Sequence, residues 1–162
     1  MKKLLLTLLT ALMLTTAWAS PQDALLTAIL RNDYATVLEI VRPLALKGDS
    51  SAQDMLGSAY YRGEGVLKDY AEAVKWYRLA AHQGNVSAQF HLGLMHRNGR
   101  GALQDYVKAH SWFNLSASTS RVGHADSEKN RDDVAKLMSP QQIAEAQKLA
   151  RDCQARNFKE CD

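Results

Sequence analysis

Small and apolar residues recur at helical spacing through most of the chain that follows residue 20. At about 100° per residue, the first clear stretch has four such residues on one helical face: Ala52, Leu56, Gly57 and Tyr60. A second stretch follows Asp69 and has a similar face: Ala73, Trp76 and Ala80. Gly63 lies between the two, where a left-handed residue commonly ends a helix. The pattern predicts an all-α chain built from helix pairs.

This helix pair returns one period later in the chain. Residues 48–83 align with residues 84–119 without a gap, so the period is 36 residues. The repeat-defining residues of the first copy are Ala52, Leu56, Gly57, Gly63, Gly65, Asp69, Tyr70, Ala73 and Trp76. Their matches in the second copy are Ala88, Leu92, Gly93, Gly99, Gly101, Asp105, Tyr106, Ala109 and Trp112. A catalytic motif normally occurs once, whereas such a period is typical of stacked supersecondary units, so we interpret these residues as structural.

The polar residues at the ends of each stretch predict helix caps. Asp69 can accept from the free N–H groups of the second helix, and Glu72 would complete a capping box in this copy. Gly84 would end that helix, and Asn85 would cap the next one. Each unit is therefore expected to be a helix, a Gly-x-Gly loop, a second helix and a short turn.

Two long strings, AQDMLGSAYYRGEGVLKDYAEAVKWYRLAAHQG and AQFHLGLMHRNGRGALQDYVKAHSWFNLSA, resemble the Sel-one-like repeat family. This family has an α/α repeat related to the tetratricopeptide repeat. The resemblance extends over about residues 24–157. It implies an α/α solenoid of tetratricopeptide-like helix pairs, about four in number, and a role in binding other proteins.

The expected organisation is one domain over residues 20–162. It begins with a shortened unit at 24–47, which is followed by two full repeats at 48–83 and 84–119. A capping helix pair at 120–157 and a tail at 158–162 complete it. The first unit lacks the Gly-x-Gly loop, and its first helix is predicted over 24–32. Ser139, Pro140 and Gln142 predict a capped start for the last helix.

The first nineteen residues have the order of a secretory signal peptide. Lys2 and Lys3 precede an uncharged apolar run, and Ala17-Trp18-Ala19 offers small residues for cleavage between Ala19 and Ser20. A retained membrane anchor is the alternative, although the run is short for a bilayer span. Ser20 stands where a lipid-anchored protein would have cysteine. We expect a periplasmic protein without stable membrane insertion after cleavage, with secretion as the alternative location.

The net charge does not favour nucleic acid as the main ligand. The whole chain has 20 Lys and Arg against 17 Asp and Glu, a net charge of +3. Without Lys2 and Lys3 the count is 18 against 17, a net charge of +1. The sequence contains no basic stripe, so we expect no nucleic-acid partner.

No motif in the sequence predicts a catalytic, cofactor or metal site. Gly63-Glu64-Gly65 lacks the third glycine of a dinucleotide fingerprint and the Gly-Lys-Ser/Thr of a phosphate loop. The five histidines are scattered without HExxH and are interpreted as surface variation. Cysteine-rich members of the resembled family have been linked to β-lactam binding and hydrolysis, which makes a cell-wall or β-lactam hydrolase the alternative function. This chain has no Ser-x-x-Lys and lacks a cysteine pair in each repeat, so no enzyme activity is expected.

The two cysteines, Cys153 and Cys161, both lie in the last ten residues of the chain. An oxidising location favours a disulfide between them, with two free thiols as the alternative. The repeated tryptophans and tyrosines, Trp76, Trp112, Tyr70 and Tyr106, are expected to form core layers.

The expected function is binding of a protein or peptide through residues that face away from the packed side of each first helix. On the helical projection these residues are Asp54, Ser58, Tyr61, Phe90, Leu94 and Arg97. They do not repeat between the two copies, whereas the packed residues do. Exposed aromatic and apolar groups beside an arginine are typical of an interface centre.

Overall fold

Helices account for most of the computed structural model, which describes residues 20–119, 124–159 and 161. In chain order they are α1 (Pro21–Leu30), α2 (Tyr34–Leu46), α3 (Ser50–Arg62), α4 (Tyr70–Ala81), α5 (Val86–Asn98), α6 (Tyr106–Thr119), α7 (His124–Ala135) and α8 (Pro140–Ala155). These described residues include no strand, so the all-α prediction is confirmed. The predicted leader, residues 1–19, lies outside them.

The chain divides into two compact units after Ile40, within α2. In the first unit, α1 begins at Pro21 rather than at residue 24, because a capping box forms ahead of the predicted start. The Ser20 hydroxyl accepts from the Asp23 N–H at 3.2 Å, and the Asp23 carboxylate accepts from the Ser20 N–H at 3.0 Å. Among residues 20–40 of this unit, the buried apolar residues are Ala28, Val37 and Leu38.

The second unit contains the two full helix pairs, α3 with α4 and α5 with α6. Asp49, Asp69 and Asn85 cap α3, α4 and α5 through their side-chain oxygens. Gly63 and Gly99 end α3 and α5 in the left-handed conformation, with φ of 77° and 64°. The sequence predicted the caps at Asp69 and Asn85 and the helix end at Gly63 correctly.

The predicted capping box between Asp69 and Glu72 does not form. The backbone N–H of Asp69 donates instead to the carbonyl of Tyr60 at 3.0 Å, across the Gly-x-Gly loop. Glu72 pairs with Lys75 one turn further along α4. The Asp69 N–H, which Glu72 would bind in a capping box, is therefore already bonded to the Tyr60 carbonyl. This bond holds the start of α4 beside the end of α3.

A glycine inside each first helix lets its second helix approach closely. A Cβ on Gly57 would lie 2.7 Å from the Tyr77 ring, and a Cβ on Gly93 would lie 2.5 Å from the Phe113 ring. Tyr77 and Phe113 are equivalent residues of α4 and α6, and both are fully buried. The glycine of each repeat thus provides the space for a ring at the centre of its helix pair.

Buried glutamines join successive helix pairs of the second unit. Gln53 donates to the carbonyl of Ala45 at 3.2 Å, and Gln89 donates to the carbonyl of Ala81 at 3.4 Å. Each bond ties a first helix to the end of the helix before it. Because both glutamines are buried, their amides need such partners, which fixes how consecutive pairs stack.

The prediction that both repeated tryptophans form the core is only half right. Trp112 is 2% exposed and lies in one cluster with Ala150 and Cys153 of α8. Trp76, its equivalent, is only half-buried, and Tyr77 fills the core of that pair. Trp112 lies on α6, along which α8 packs, and this packing places it beside Ala150 and Cys153.

The last two helices both pack against α6. The predicted capped start of α8 is confirmed, since Ser139 and Gln142 form a capping box with Pro140 at the first position. The structure pairs Cys153 with Cys161 at an S–S distance of 1.97 Å. The tail between them places the ring of Phe158 against Gly84, where an added Cβ would lie 3.2 Å from it. The C-terminal tail therefore covers the turn between α4 and α5.

Candidate protein-interaction surface

The six residues predicted to face a partner do not share one outward surface. Three lie on α3 and three on α5, and all six are of intermediate exposure. Each first helix packs along its own second helix, and α5 also packs against α4 of the preceding repeat. The contacts of the six residues separate them into a packed pair, two residues of a polar seam, one residue of a cation–aromatic cluster and one residue bonded to α7.

The predicted outward orientation of Phe90 and Leu94 is wrong. Both pack against a buried cluster of Ala109, Phe113 and Val134. The ring centroids of Phe90 and Phe113 are 5.7 Å apart. A projection of one helix identifies a single packed side, but α5 also packs against the chain that follows, which covers the side carrying Phe90 and Leu94.

Asp54 and Ser58 belong to a polar seam between α3 and the residues packed beside it. An Asp54 carboxylate oxygen lies 3.5 Å from His91 Nδ1, with the two side chains 16% and 24% exposed. The His91 ring stacks on the Tyr77 ring, with centroids 4.6 Å apart, and the Tyr77 hydroxyl lies 3.2 Å from the Ser58 hydroxyl. Burial raises the pKa of Tyr77 above its ordinary value, so its hydroxyl keeps its proton.

Tyr61 belongs to a cluster of three residues from three elements, which we call the Arg100 cluster: Tyr61, Tyr70 and Arg100. The two tyrosine rings are 5.3 Å apart between centroids. Arg100 lies over both rings, with Cζ 6.0 Å from the Tyr61 centroid and 5.7 Å from the Tyr70 centroid. Its Nη1 also donates to the Tyr61 hydroxyl at 2.6 Å. The guanidinium is exposed and held in place by the aromatic rings.

Arg97, the last of the six predicted residues, points towards the capping helices rather than the Arg100 cluster. Its Nη1 donates to the side-chain oxygen of Asn130 on α7. The sequence reasoning therefore placed Tyr61 and Arg97 together, whereas their side chains make contacts with different elements.

Two of the five histidines are core residues, which contradicts their interpretation as surface variation. His96 is 4% exposed and His110 is 3% exposed. Burial lowers the pKa of both imidazoles, with Lys108 and Arg78 adding to the effect at His96 and Arg131 at His110. His96 Nδ1 lies 3.4 Å from the carbonyl oxygen of Leu103, which orients the ring towards the Gly-x-Gly loop.

The described part of the chain contains no cluster of three or more metal-binding side chains. Within the same residues, no helix has the length and apolar character needed to cross a membrane. The surface is instead made of half-exposed aromatic, polar and cationic side chains on the first helices and their loops. Groups of this kind bind other polypeptides through shape and polar contacts.

Sequence reasoning missed Arg100 and His91. Arg100 occupies the position of Glu64 in the first repeat, and His91 occupies that of Met55. These differences between repeats were the available signal. The prediction used one helical projection alone, and a projection cannot place a loop residue over the rings of the preceding repeat.

Comparison with known proteins agrees with this fold. The family model of the Sel1 repeat matches residues 50–85 and 86–118. The solved structure of c5321, a protective antigen present in uropathogenic Escherichia coli strains that displays an SLR fold, has 28% identity and a TM-score of 0.77. It matches 88% of this chain, which spans 31% of its length.

A Sel1 repeat protein from Oxalobacter formigenes is similar at 35% identity and a TM-score of 0.52. The match covers 53% of this chain and 66% of that protein. No curated protein matches the chain. The repeats and both solved structures define the class, a helical repeat protein. The chain is a Sel1-like repeat protein with about four helix pairs, as the sequence predicted.

Proposed function

We propose that the chain is an exported protein–protein interaction module that holds a protein or peptide partner on its first helices and Gly-x-Gly loops. The observation that supports this most directly is the difference between the two repeats. Most of their buried residues match, as Leu56 matches Leu92, whereas the half-exposed residues of the first helices differ, as Tyr61 differs from Arg97. Packing explains the matching set, and within the differing set Tyr61 keeps a half-exposed side chain that a partner can contact.

The Gly-x-Gly loops also offer exposed apolar side chains that a partner could bury. Leu67 and Leu103 occupy equivalent positions in the two loops and are 91% and 90% exposed. A leucine that is fully exposed in both copies contributes nothing to the core of either repeat. Burying both against a partner would contribute roughly 3–6 kcal/mol from the transfer of apolar surface out of water.

Partner capture from a periplasmic extract tests the proposed function. Residues 20–162, immobilised through an added C-terminal tag, should retain a specific protein that mass spectrometry identifies. A variant with Tyr61→Ala and Leu67→Ala should lose most of it, because both changes remove exposed or half-exposed contact groups. Lys75→Ala, which alters an exposed residue of α4 outside this surface, is the matched control. Capture that is equal in all three proteins would refute the proposed surface.

Export is supported by the order of the first nineteen residues and by the pairing of both cysteines. The similar c5321 protein is a protective antigen, which agrees with an exported role. N-terminal sequencing of the protein from a periplasmic fraction should begin at Ser20 and Pro21. An intact Met1 on cytoplasmic protein would refute export and cleavage.

A further inference from the structure

We propose that the Arg100 cluster is a carboxylate-binding site, at which the guanidinium of Arg100 receives a carboxylate of the polypeptide partner. This inference rests on the proposed function and identifies the chemistry that one part of the surface recognises. Three observations support it. The guanidinium of Arg100 is held in a fixed position, it is not paired with a carboxylate of the described residues, and the equivalent residue of the first repeat is a glutamate.

The backbone around Arg100 is held in place by the preceding repeat. Gly99 and Gly101 flank it with φ of 64° and 70°. A Cβ on Gly101 would lie 2.1 Å from the carbonyl oxygen of Tyr70, so this loop lies directly against the start of α4. Only glycine permits both the conformation and the contact, and together they direct Arg100 over the two tyrosines.

The side chain is oriented but not neutralised. The Tyr61 hydroxyl accepts one N–H of Nη1, and Cζ lies 6.0 Å and 5.7 Å from the centroids of the Tyr61 and Tyr70 rings. No ion pair joins Arg100 to a carboxylate of the described residues. Arg100 is exposed, and its remaining N–H donors form a planar fork that matches the two oxygens of a carboxylate.

The first repeat shows that the fold does not require this arginine. The equivalent position is Glu64, which lies 3.7 Å from Arg62 and so is already paired. The same loop therefore carries a negative side chain in one repeat and a positive side chain in the other, so its backbone conformation does not depend on the charge at this position. The charge at residue 100 is thus free to serve recognition rather than folding.

The rings favour a peptide carboxylate over a free small acid. An aromatic platform beside the guanidinium can contact the aliphatic atoms that carry the carboxylate, which raises affinity beyond that of the charge pair. A partner could offer either a Glu or Asp side chain or its C-terminal carboxylate. The chemistry of the contact is the same in both cases, and the experiment separates them.

The test is a peptide titration followed by nuclear magnetic resonance on 15N-labelled residues 20–162. The first probe is a glycine–serine hexapeptide with one Glu and blocked termini; the second replaces Glu by Gln and frees the C-terminus; the third has Gln and blocked termini. We expect saturable shifts of the Gly99 and Gly101 amide signals with the first probe, the second or both, and none with the third. The probe that binds identifies the source of the carboxylate.

Variants make the assignment specific. Arg100→Gln should raise the Kd about tenfold or more, and Arg100→Lys should recover only part of the loss because it lacks the fork. Arg62→Gln is the matched control, since Arg62 is an exposed arginine already paired with Glu64, and its Kd should stay within about twofold of the parent. Far-UV circular dichroism should show the same helicity in all four proteins.

Two results would overturn the inference: no saturable shift with either acidic probe, or binding that Arg100→Gln leaves unchanged. Either result together with intact partner capture refutes the carboxylate site alone and leaves the proposed function standing. Peptide binding at Arg100 without any captured partner would support the site and count against the proposed function.

Discussion

Replacing Gly93 by alanine tests the tight packing at the centre of the second helix pair. Gly93 lies within α5 at a helical backbone conformation, where alanine is normally favoured by about 1 kcal/mol. The added Cβ would lie 2.5, 2.6 and 2.9 Å from three atoms of the Phe113 ring. Since that ring is fully buried, it cannot move away without disturbing its neighbours.

The overlap should outweigh the gain in helix propensity. Overpacking a core costs typically about 1–3 kcal/mol, and three atoms within 3 Å place this case at about the upper value. After subtraction of about 1 kcal/mol for propensity, the free energy of unfolding should fall by about 2 kcal/mol. For a chain of this size the melting temperature should drop by about 4–8 °C.

The measurement is urea unfolding followed by far-UV circular dichroism on oxidised protein at 25 °C. Ser51→Ala, at an exposed position of α3, is the control and should change the free energy of unfolding by no more than about 0.5 kcal/mol. Adding Phe113→Leu to Gly93→Ala should cost clearly less than the sum of the two single changes, because the smaller side chain relieves the overlap. A Gly93→Ala variant as stable as the parent would refute the packing argument.

Asp69→Ala should lower the free energy of unfolding by about 1 kcal/mol in urea, because its carboxylate accepts from two N–H groups at the start of α4; unchanged stability would contradict this role. The free energy of unfolding should also fall as the pH is lowered from 7 to 5, since burial lowers the folded-state pKa of His96 and His110. Below about pH 6.5 these histidines take up protons in the unfolded chain before they do so in the folded protein, and this favours unfolding. Urea titrations over this pH range should show a smaller dependence in a His96→Gln variant, and an equal dependence would count against His96. Denatured, unreduced protein should contain no free thiol, and reduction of Cys153–Cys161 should cost about 2–3 kcal/mol on the chain-entropy model; two titratable thiols would refute the disulfide in solution.

Local sequence was enough to predict the helix pairs of the repeats. The left-handed conformation at Gly63 and the caps at Asp69, Asn85 and Ser139 depend on the residue itself and on neighbours within one helical turn. The chemistry of those side chains is the same wherever the helix lies in the molecule. The return of the packed residues at a period of 36 residues predicted the stacking, because units that bury the same face pack in the same way.

Only the tertiary structure decided which half-exposed side chains are available to a partner. Phe90 and Leu94 appeared outward on the projection of α5 but are covered by Phe113 and Val134, which are distant in sequence. Arg100 appeared as one residue of a loop, yet it lies over Tyr61 and Tyr70 of the preceding repeat. A helical projection describes one helix, whereas the surface of a stacked repeat protein is formed where several helices and loops meet. The sequence therefore determined the repeating core, and the packing of each repeat against the helices and loops of its neighbours determined the surface.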